Sequence, residues 1–461
     1  MRTLTKDTPE NIGQEVTIMG WVHSRRDHGK LIFIDLRDRW GIVQVVFAPK
    51  EGKHLLGAES LRDEWVIKLQ GKVKERPKNM QNPNLETGVI ELEATELEIL
   101  SEAKTPPLPI TTDGHDIEEE TRLKYRYLDL RRPRMQKNLL LRYEATKIAR
   151  DYLARNGFIE IETPLLTKTS PEGARDFVIP SRIYPGKFFA LPQSPQQYKQ
   201  LLMLAGFERY FQIAKCPRDE DSRGDRQPEH TQIDLEMSFV SEKDVQNLVE
   251  DMMIEIAEGC GKRVAQKPFP VFTHEEAVQK FGADKFDLRG EDKDPNEMAF
   301  AWVVDFPVFE WDEVEKRFTF AHNPFSAPKP EDVEKLMREE DLGSLRAQQY
   351  DLVCNGYELA SGGVRISDPK VQRKVFEIMG LTSEQIEERF GHILEAYEYG
   401  APPHAGMAPG LDRLVMILAG EPNISEVIAF PKTKAGRDPM MNSPSEIDPK
   451  QLKELHLKIT E

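Results

Sequence analysis

The chain has 461 residues, 39% hydrophobic and 31% charged, which is enough material for two or three packed domains and unlike a disordered composition. A net charge of -16 argues against a protein that coats nucleic acid by general electrostatics, although local basic segments survive that average. No apolar run approaches the ~18 residues of a membrane span, and the first residues lack the apolar stretch of a secretory leader. Three separated cysteines, Cys216, Cys260 and Cys354, form neither a CxxC zinc pattern nor a disulfide framework, so the expectation is a cytoplasmic protein without zinc and with no membrane partner.

Residues 15–48 alternate apolar and polar in three short runs, VTIMGWV, KLIFIDLRD and GIVQVVF, broken by glycine and charge. With WVIKLQGKV at 65–73, GVIELEATELEIL at 88–100 and a helical stretch near 54–63, this predicts a small five-stranded barrel of the OB type over residues 1–103. The segment KTPPLPITT holds three prolines in nine residues and cannot continue a strand ladder, so residues 104–135 read as a linker. Within it RLKYRYLDLRRPR carries six basic residues and one acid, either a solvated face or a nucleic-acid contact.

From 136 to 461 the pattern is α+β. Helices are expected over 138–157, 243–259, 368–378 and 383–397, with short strands in no regular βαβ alternation, which favours an antiparallel sheet flanked by helices. The stretch 283–298 reads as a polar loop, and the polar tail after Lys432 as a surface wrap.

Three constellations carry chemistry. In CPRDEDSRGDRQPEHTQIDLEMSF at 216–239, two strand-like pieces flank a charged loop, and alternation would put Arg218 and Glu220 on one face. A guanidinium there suits a phosphate, and a surface hairpin of ion pairs is the alternative. In GMAPGLDRLVMILAG at 406–420, Gly410 would let a ligand approach the backbone and Arg413 could stack on a flat ring, unless this is only a core helix with a charged first turn. In YDLVCNGYELASGGVRI at 350–366, Asp351 and Glu358 on neighbouring strands invite a magnesium ion with ATP, and Arg365 follows a Ser-Gly-Gly bulge; a Glu358–Arg365 salt bridge is the plainer option.

In this order, FIEIETPLL, which reads as a strand ending at Pro164 (motif 1, near 158–166), the Arg218-Asp219-Glu220 hairpin (motif 2, near 210–239) and GLDR (motif 3, near 406–420) resemble the class II aminoacyl-tRNA synthetases. SPEGARDF, FALPQSPQQYKQLLM, RQPEHTQID and AFPKT resemble the bacterial aspartyl type. The resemblance implies that Glu172, Gln196 and Asp234 contact the aspartate ammonium, and that Lys199 and Arg365 pair with its side-chain carboxylate. Arg218 would bridge the aspartate carboxylate and the α-phosphate, and His322 would close over aspartate. ATP would meet Asp219, Glu220, Gln227, Glu358 and the Gly410, Leu411, Asp412, Arg413 run, with Mg2+ on Asp351 and Glu358. Phe33 and Gln44 fall where the family holds anticodon bases, and the basic run 122–134 would face the tRNA.

The large domain that bacterial members carry between motifs 2 and 3 is reduced here to the 283–298 loop. Asn323 replaces a frequent histidine, Pro217 precedes the motif 2 arginine, and ASGG stands where GGG is usual. His28 and Asn79 resemble the relaxed form of the family, implying use of both tRNA(Asp) and tRNA(Asn), a homodimer through motif 1, and a downstream Asp-tRNA(Asn) amidotransferase. Alternatives are a ligase restricted to tRNA(Asp), an asparagine or lysine sister enzyme, and a non-catalytic tRNA-binding paralogue.

Overall fold

Along the first hundred residues, side chains alternate between full burial and exposure, and this alternation closes a barrel. The computed structural model describes residues 1–49, 56–169 and 173–460. Its first unit, Met1–Glu118, holds β1 (Glu15–Asp27), β2 (Ile32–Asp38), β3 (Gly41–Phe47), β4 (Val66–Glu75) and β5 (Ile90–Ser101), closed in the order β1-β2-β3-β5-β4. Ile18, Ile34, Leu36, Val45, Leu69 and Leu92 fill its interior, as the period of two requires. The stretch expected to be helical near 54–63 lies partly outside the described residues, and its described part contains a single 3-10 turn, Ala58–Ser60.

The second unit, Glu119–Glu461, is built on an eight-stranded sheet. Its strands run in the order Val271–Thr273, Phe300–Val304, Gln349–Cys354, Tyr357–Val364, His404–Pro409, Glu229–Ser238, Arg209–Pro217, Ile159–Glu160. All neighbours are antiparallel except the two edge strands, which run parallel to theirs. Helices Pro133–Arg155, Glu242–Gly259 and Leu411–Ala419 join the sheet in one apolar core, with Leu153, Val249, Met253 and Leu414 meeting Leu235, Trp302, Leu352 and Met407. Pro133 opens the first of these helices, where its missing N–H costs nothing. Ser241 caps the second through a reciprocal capping box with Asp244.

Three expectations change. The strand FIEIETPLL shrinks to Ile159–Glu160: Thr163 instead donates its N–H and hydroxyl to Gln212 Oε1 at 3.1 and 3.0 Å, and Pro164 has no N–H for a ladder. The bulge lies between Leu352 and Val353, and the Ser-Gly-Gly segment runs inside strand Tyr357–Val364. Three arginines of the basic run 122–134 turn inward. Arg122, Arg126 and Arg132 are buried around the buried carboxylate of Asp129. Arg122 also grips Glu426 at 2.7 Å, and Arg134 reaches Glu421 and Glu426. Burial alone would raise the Asp129 carboxyl, but hydrogen bonds from Arg122 and Arg132 outweigh it and hold the group below its ordinary value. These arginines tie residues 119–134 into the second unit, while Lys124 stays exposed.

Candidate active site

Hairpin turns and strand ends bring the three constellations to one cavity of about 360 Å³ in the second unit. Strand Arg209–Pro217 stops just before Arg218, so Arg218 and Glu220 reach the cavity from the loop, where Glu220 accepts a bond from Arg226 at 2.5 Å. Gln196 and Lys199 come from helix Gln196–Leu204, and Asp234 from strand Glu229–Ser238. Glu358, Arg365, Gly410, Asp412, Arg413, His322 and Gln227 complete the predicted lining.

At the cavity floor lies a lattice of four charges. Lys199 Nζ is 2.9 Å from Asp234 Oδ2, 3.2 Å from Glu236 Oε2 and 3.4 Å from the carbonyl of Leu235. Arg365 gives Nε and Nη2 to the two oxygens of Glu236 at 2.9 and 3.2 Å. All four side chains are buried, and two cations balance two anions. Burial pushes the Asp234 carboxyl up despite Lys199. For Glu236, burial is outweighed by Arg365 and Lys199, which hold it down. The salt bridge weighed between Glu358 and Arg365 is not formed, since Glu236 takes that guanidinium. Lys199 has three partners for its three N–H groups, so a ligand carboxylate meets it by sharing, whereas the two bonds of Arg365 to Glu236 use Nε and Nη2 and the residue itself lines the cavity.

Glu236 was not legible as a site residue, yet its signal was present: in IDLEMSF, Asp234 and Glu236 are two apart on a strand and share a face. Its register partner is Gly406. A Cβ there would stand 1.9 Å from Glu236 Oε2, so only glycine admits the carboxylate. Gly410 lines the cavity and donates its amide to the Leu359 carbonyl at 2.8 Å, and a Cβ added to it would stand 3.5 Å from that oxygen.

The second carboxylate pair is Asp351 and Glu358. Asp351 is buried beneath the cavity, accepting from Gln349 at 3.1 Å and lying 3.4 Å from His322 Nε2. Burial first, and the neighbouring Asp351 charge second, raise the Glu358 carboxyl. Arg413 and Lys285 each stand 3.9 Å from Glu358. Lys285, from the 283–298 loop, is a cavity residue that the sequence did not single out. Two crowded carboxylates with oxygen donors fit a magnesium ion that also binds nucleotide phosphates, and no group of three or more such side chains exists among the described residues.

Arg413 donates to the carbonyl of Glu358 at 2.6 Å and pairs with Asp225 at 3.1 Å. Gln227 accepts from the Lys432 amide at 2.9 Å. Leu411 and Asp219 stand apart from this cavity, and Asp412 lines it while bonded to the protein. Leu411 is core. Asp412 accepts from the Thr231 amide at 2.7 Å and from Arg142 at 2.6 Å, fixing the start of helix Leu411–Ala419. Asp219 is exposed and lines a neighbouring cavity. Glu172 lies outside the described residues.

Buried polar atoms without partners are expensive to keep. Within this cavity Arg218 Nε, Asp234 Oδ1 and His322 Nδ1 are such atoms. An unmet acceptor near Gln196 and an unmet guanidinium donor near the motif 2 loop are what a ligand carrying both an ammonium and anionic oxygens would satisfy.

On the barrel, β2 buries Ile32, Ile34 and Leu36 and turns Phe33 outward, half-buried and outside the core. Gln44 lies on the same outer face, accepting from Arg26 at 3.2 Å and donating to Glu91 at 3.2 Å. The ring of His28 stands edge-on to Phe33 at 5.4 Å. Asn79 is exposed on the turn Lys78–Met80.

A closed barrel, a mostly antiparallel sheet and this pocket define a class II synthetase fold. The class II tRNA synthetases (D, K and N) match residues 118–434, and the OB-fold nucleic acid binding domain matches residues 16–100; the chain belongs to that synthetase family. It is 44% identical to an Aspartate--tRNA(Asp/Asn) ligase of Rubrobacter xylanophilus, across 97% of this chain and 95% of the relative. It is 43% identical to one of Heliobacterium modesticaldum, across 98% and 94%. The first alignment runs over 573 positions against 461 residues here, so at least 112 of them face no residue of this chain. Among solved structures, asparaginyl-tRNA synthetase from Pyrococcus horikoshii superposes with a TM-score of 0.74 at 23% identity, covering 94% of this chain and 98% of that one. A putative aspartyl-tRNA synthetase from Leishmania major also gives 0.74, at 18% identity, covering 94% of each.

Proposed function

We propose that the chain joins L-aspartate to tRNA through an aspartyl-adenylate, on both tRNA(Asp) and tRNA(Asn), as an aspartate-tRNA(Asp/Asn) ligase. The observation that carries this is the buried Arg365–Glu236–Lys199–Asp234 lattice, three members of which, Arg365, Lys199 and Asp234, line the cavity. A permanently charged donor in a dry pocket favours a carboxylate side chain over an amide, because a neutral group would leave it under-paired at a cost of several kcal/mol. A lysine substrate would set cation against cation there.

The chain supplies no nucleophile. Gln196 and Asp234, with Glu172 of the PEGAR segment, hold the ammonium, and Arg365 with Lys199 holds the side chain. That leaves the α-carboxylate to attack the α-phosphorus in line, with pyrophosphate leaving. Arg218 neutralises the charge that develops between them, and Glu220, Gln227, Glu358 and Arg413 orient the nucleotide. Asp351 and Glu358 would hold magnesium, which when bound offsets the polyphosphate charge. His322, 3.4 Å from Asp351, stands where closing over aspartate would shield the anhydride from water.

Phe33 offers a stacking face and Gln44 a hydrogen-bonding edge to anticodon bases, and His28 and Asn79 decide between tRNAs. Exposed Leu140, Tyr143, Ile159, Leu165 and Leu166 around motif 1 support a homodimer. Asp-tRNA(Asn) would then pass to an amidotransferase. The reaction sets the chain where its tRNA and ATP are, in the cytoplasm; no helix among the described residues is long and apolar enough to cross a membrane. ATP–pyrophosphate exchange with aspartate, asparagine and lysine tests the reading: exchange with aspartate alone is expected, and exchange driven by asparagine or lysine instead would overturn it.

A further inference from the structure

A carboxamide can show a ligand either its amino group, a donor, or its carbonyl, an acceptor. Only the carbonyl of Gln196 suits an ammonium ion, and a buried chain of hydrogen bonds behind it determines which face points outward. The chain begins at the carbonyl of Pro402, which can only accept. His404 Nδ1 lies 2.8 Å from it, so Nδ1 carries the proton. In the neutral ring Nε2 is then an acceptor, and it takes a hydrogen bond from Gln200 Nε2 at 3.2 Å. The other hydrogen of that amino group goes to the Tyr397 hydroxyl at 2.8 Å.

Gln200 and His404 are both fully buried. The carbonyl Oε1 of Gln200 is thereby turned toward Gln196, one helical turn away, whose Nε2 it accepts at 3.0 Å. One hydrogen of the Gln196 amino group is thereby engaged, and its carbonyl makes no hydrogen bond among the described residues, while Gln196 lines the cavity. Reversing any link reverses the last one.

We propose that Gln200, His404 and Tyr397 are positioning residues that lock the Gln196 carboxamide with its carbonyl toward the substrate ammonium, so that the pocket selects an α-amino acid over the same diacid without the amino group. This rests on the aspartate-activating reading and on the place of Gln196 in it. A doubly protonated His404 would present a donor to the Gln200 amino group and invert the chain. Burial first, with Arg365 and Lys199, lowers the His404 value against the pull of Glu236 and the Pro402 carbonyl, which favours the neutral ring, and Tyr397 is the other titratable group in the chain.

The test uses the full chain in ATP–pyrophosphate exchange, with succinate, which is aspartate lacking its amino group, as competitive inhibitor. Gln200→Met should raise the KM for aspartate about tenfold, the loss of one charge-assisted hydrogen bond. The inhibition constant of succinate and the KM for ATP should stay within about twofold. Gln196→Met should weaken aspartate at least as much. If Gln200→Met does not fold, Tyr397→Phe is read in the same way and should give a smaller shift of the same selectivity. Equal weakening of aspartate and succinate, no change in either, or an unchanged aspartate KM in Gln196→Met would overturn the proposal. Wild-type protein showing no aspartate-dependent exchange would instead overturn the functional reading beneath it.

Discussion

Arg218 and Arg365 line the same cavity, and the structure separates what they do. Arg365 is buried and bonded twice to Glu236, whereas Arg218 keeps an unpartnered Nε and has no side-chain bond to protein among the described residues. The same substitution, Arg→Met, should therefore have opposite signatures. At 365 it leaves Glu236, fully buried, with Lys199 as its remaining cation, and breaking such a pair costs about 3–5 kcal/mol of folding stability. At 218 it removes a donor that the folded protein does not use, so stability should change by no more than about 0.5–1 kcal/mol. The rate of adenylate formation should fall about 10²–10³-fold, the usual effect of losing one preorganised donor at a developing anion. Urea unfolding of both variants beside single-turnover adenylate formation at saturating aspartate and ATP reads the contrast. An Arg218→Met variant as unstable as the Arg365→Met variant, or one that retains wild-type turnover, would refute the assignment of Arg218 to the transition state.

Phe33→Ala should leave the barrel folded, because that ring lies outside its core. It should also weaken tRNA by about 1–3 kcal/mol in a binding titration while pyrophosphate exchange is unchanged; a large loss of melting temperature would contradict this. Gly406→Ala would place a methyl 1.9 Å from Glu236 Oε2 and 2.3 Å from the Leu235 carbonyl, so loss of both folding yield and aspartate binding is expected in expression and calorimetry. His322 has its pKa raised because Asp351 outweighs burial. The stability from this pair is then fully present below the unfolded value near 6.5 and lost as pH rises through the higher folded value. Histidine NMR should find that midpoint above 6.5 and find it lowered in Asp351→Asn; an unmoved midpoint would show that the two groups do not interact.

The barrel was legible because its signal is local: Ile32, Ile34 and Leu36 bury on one face while Phe33 and Asp35 turn outward, and a period of two needs no distant partner. The helix expected over 243–259 is found at Glu242–Gly259, where Ser241 caps it and apolar residues such as Val245, Val249 and Met253 are buried on one side. Arg218, Lys199, Glu358 and Arg413 were reached by motif, and they meet in one cavity. What failed was pairing across long sequence distances. The basic run 122–134 could not reveal that Glu421 and Glu426 would close over it, and the Glu358–Arg365 pair weighed by proximity gave way to Glu236, 129 residues from Arg365. Gln200, His404 and Tyr397 lie on three separate elements, so only the folded chain aligns their donors and acceptors.

The most direct test of the whole account is aminoacylation of purified tRNA(Asp) and tRNA(Asn) with labelled amino acids. The account predicts aspartate esterified to both tRNAs and asparagine to neither. Asparagine attached to tRNA(Asn), or no transfer of aspartate to either tRNA, would contradict it.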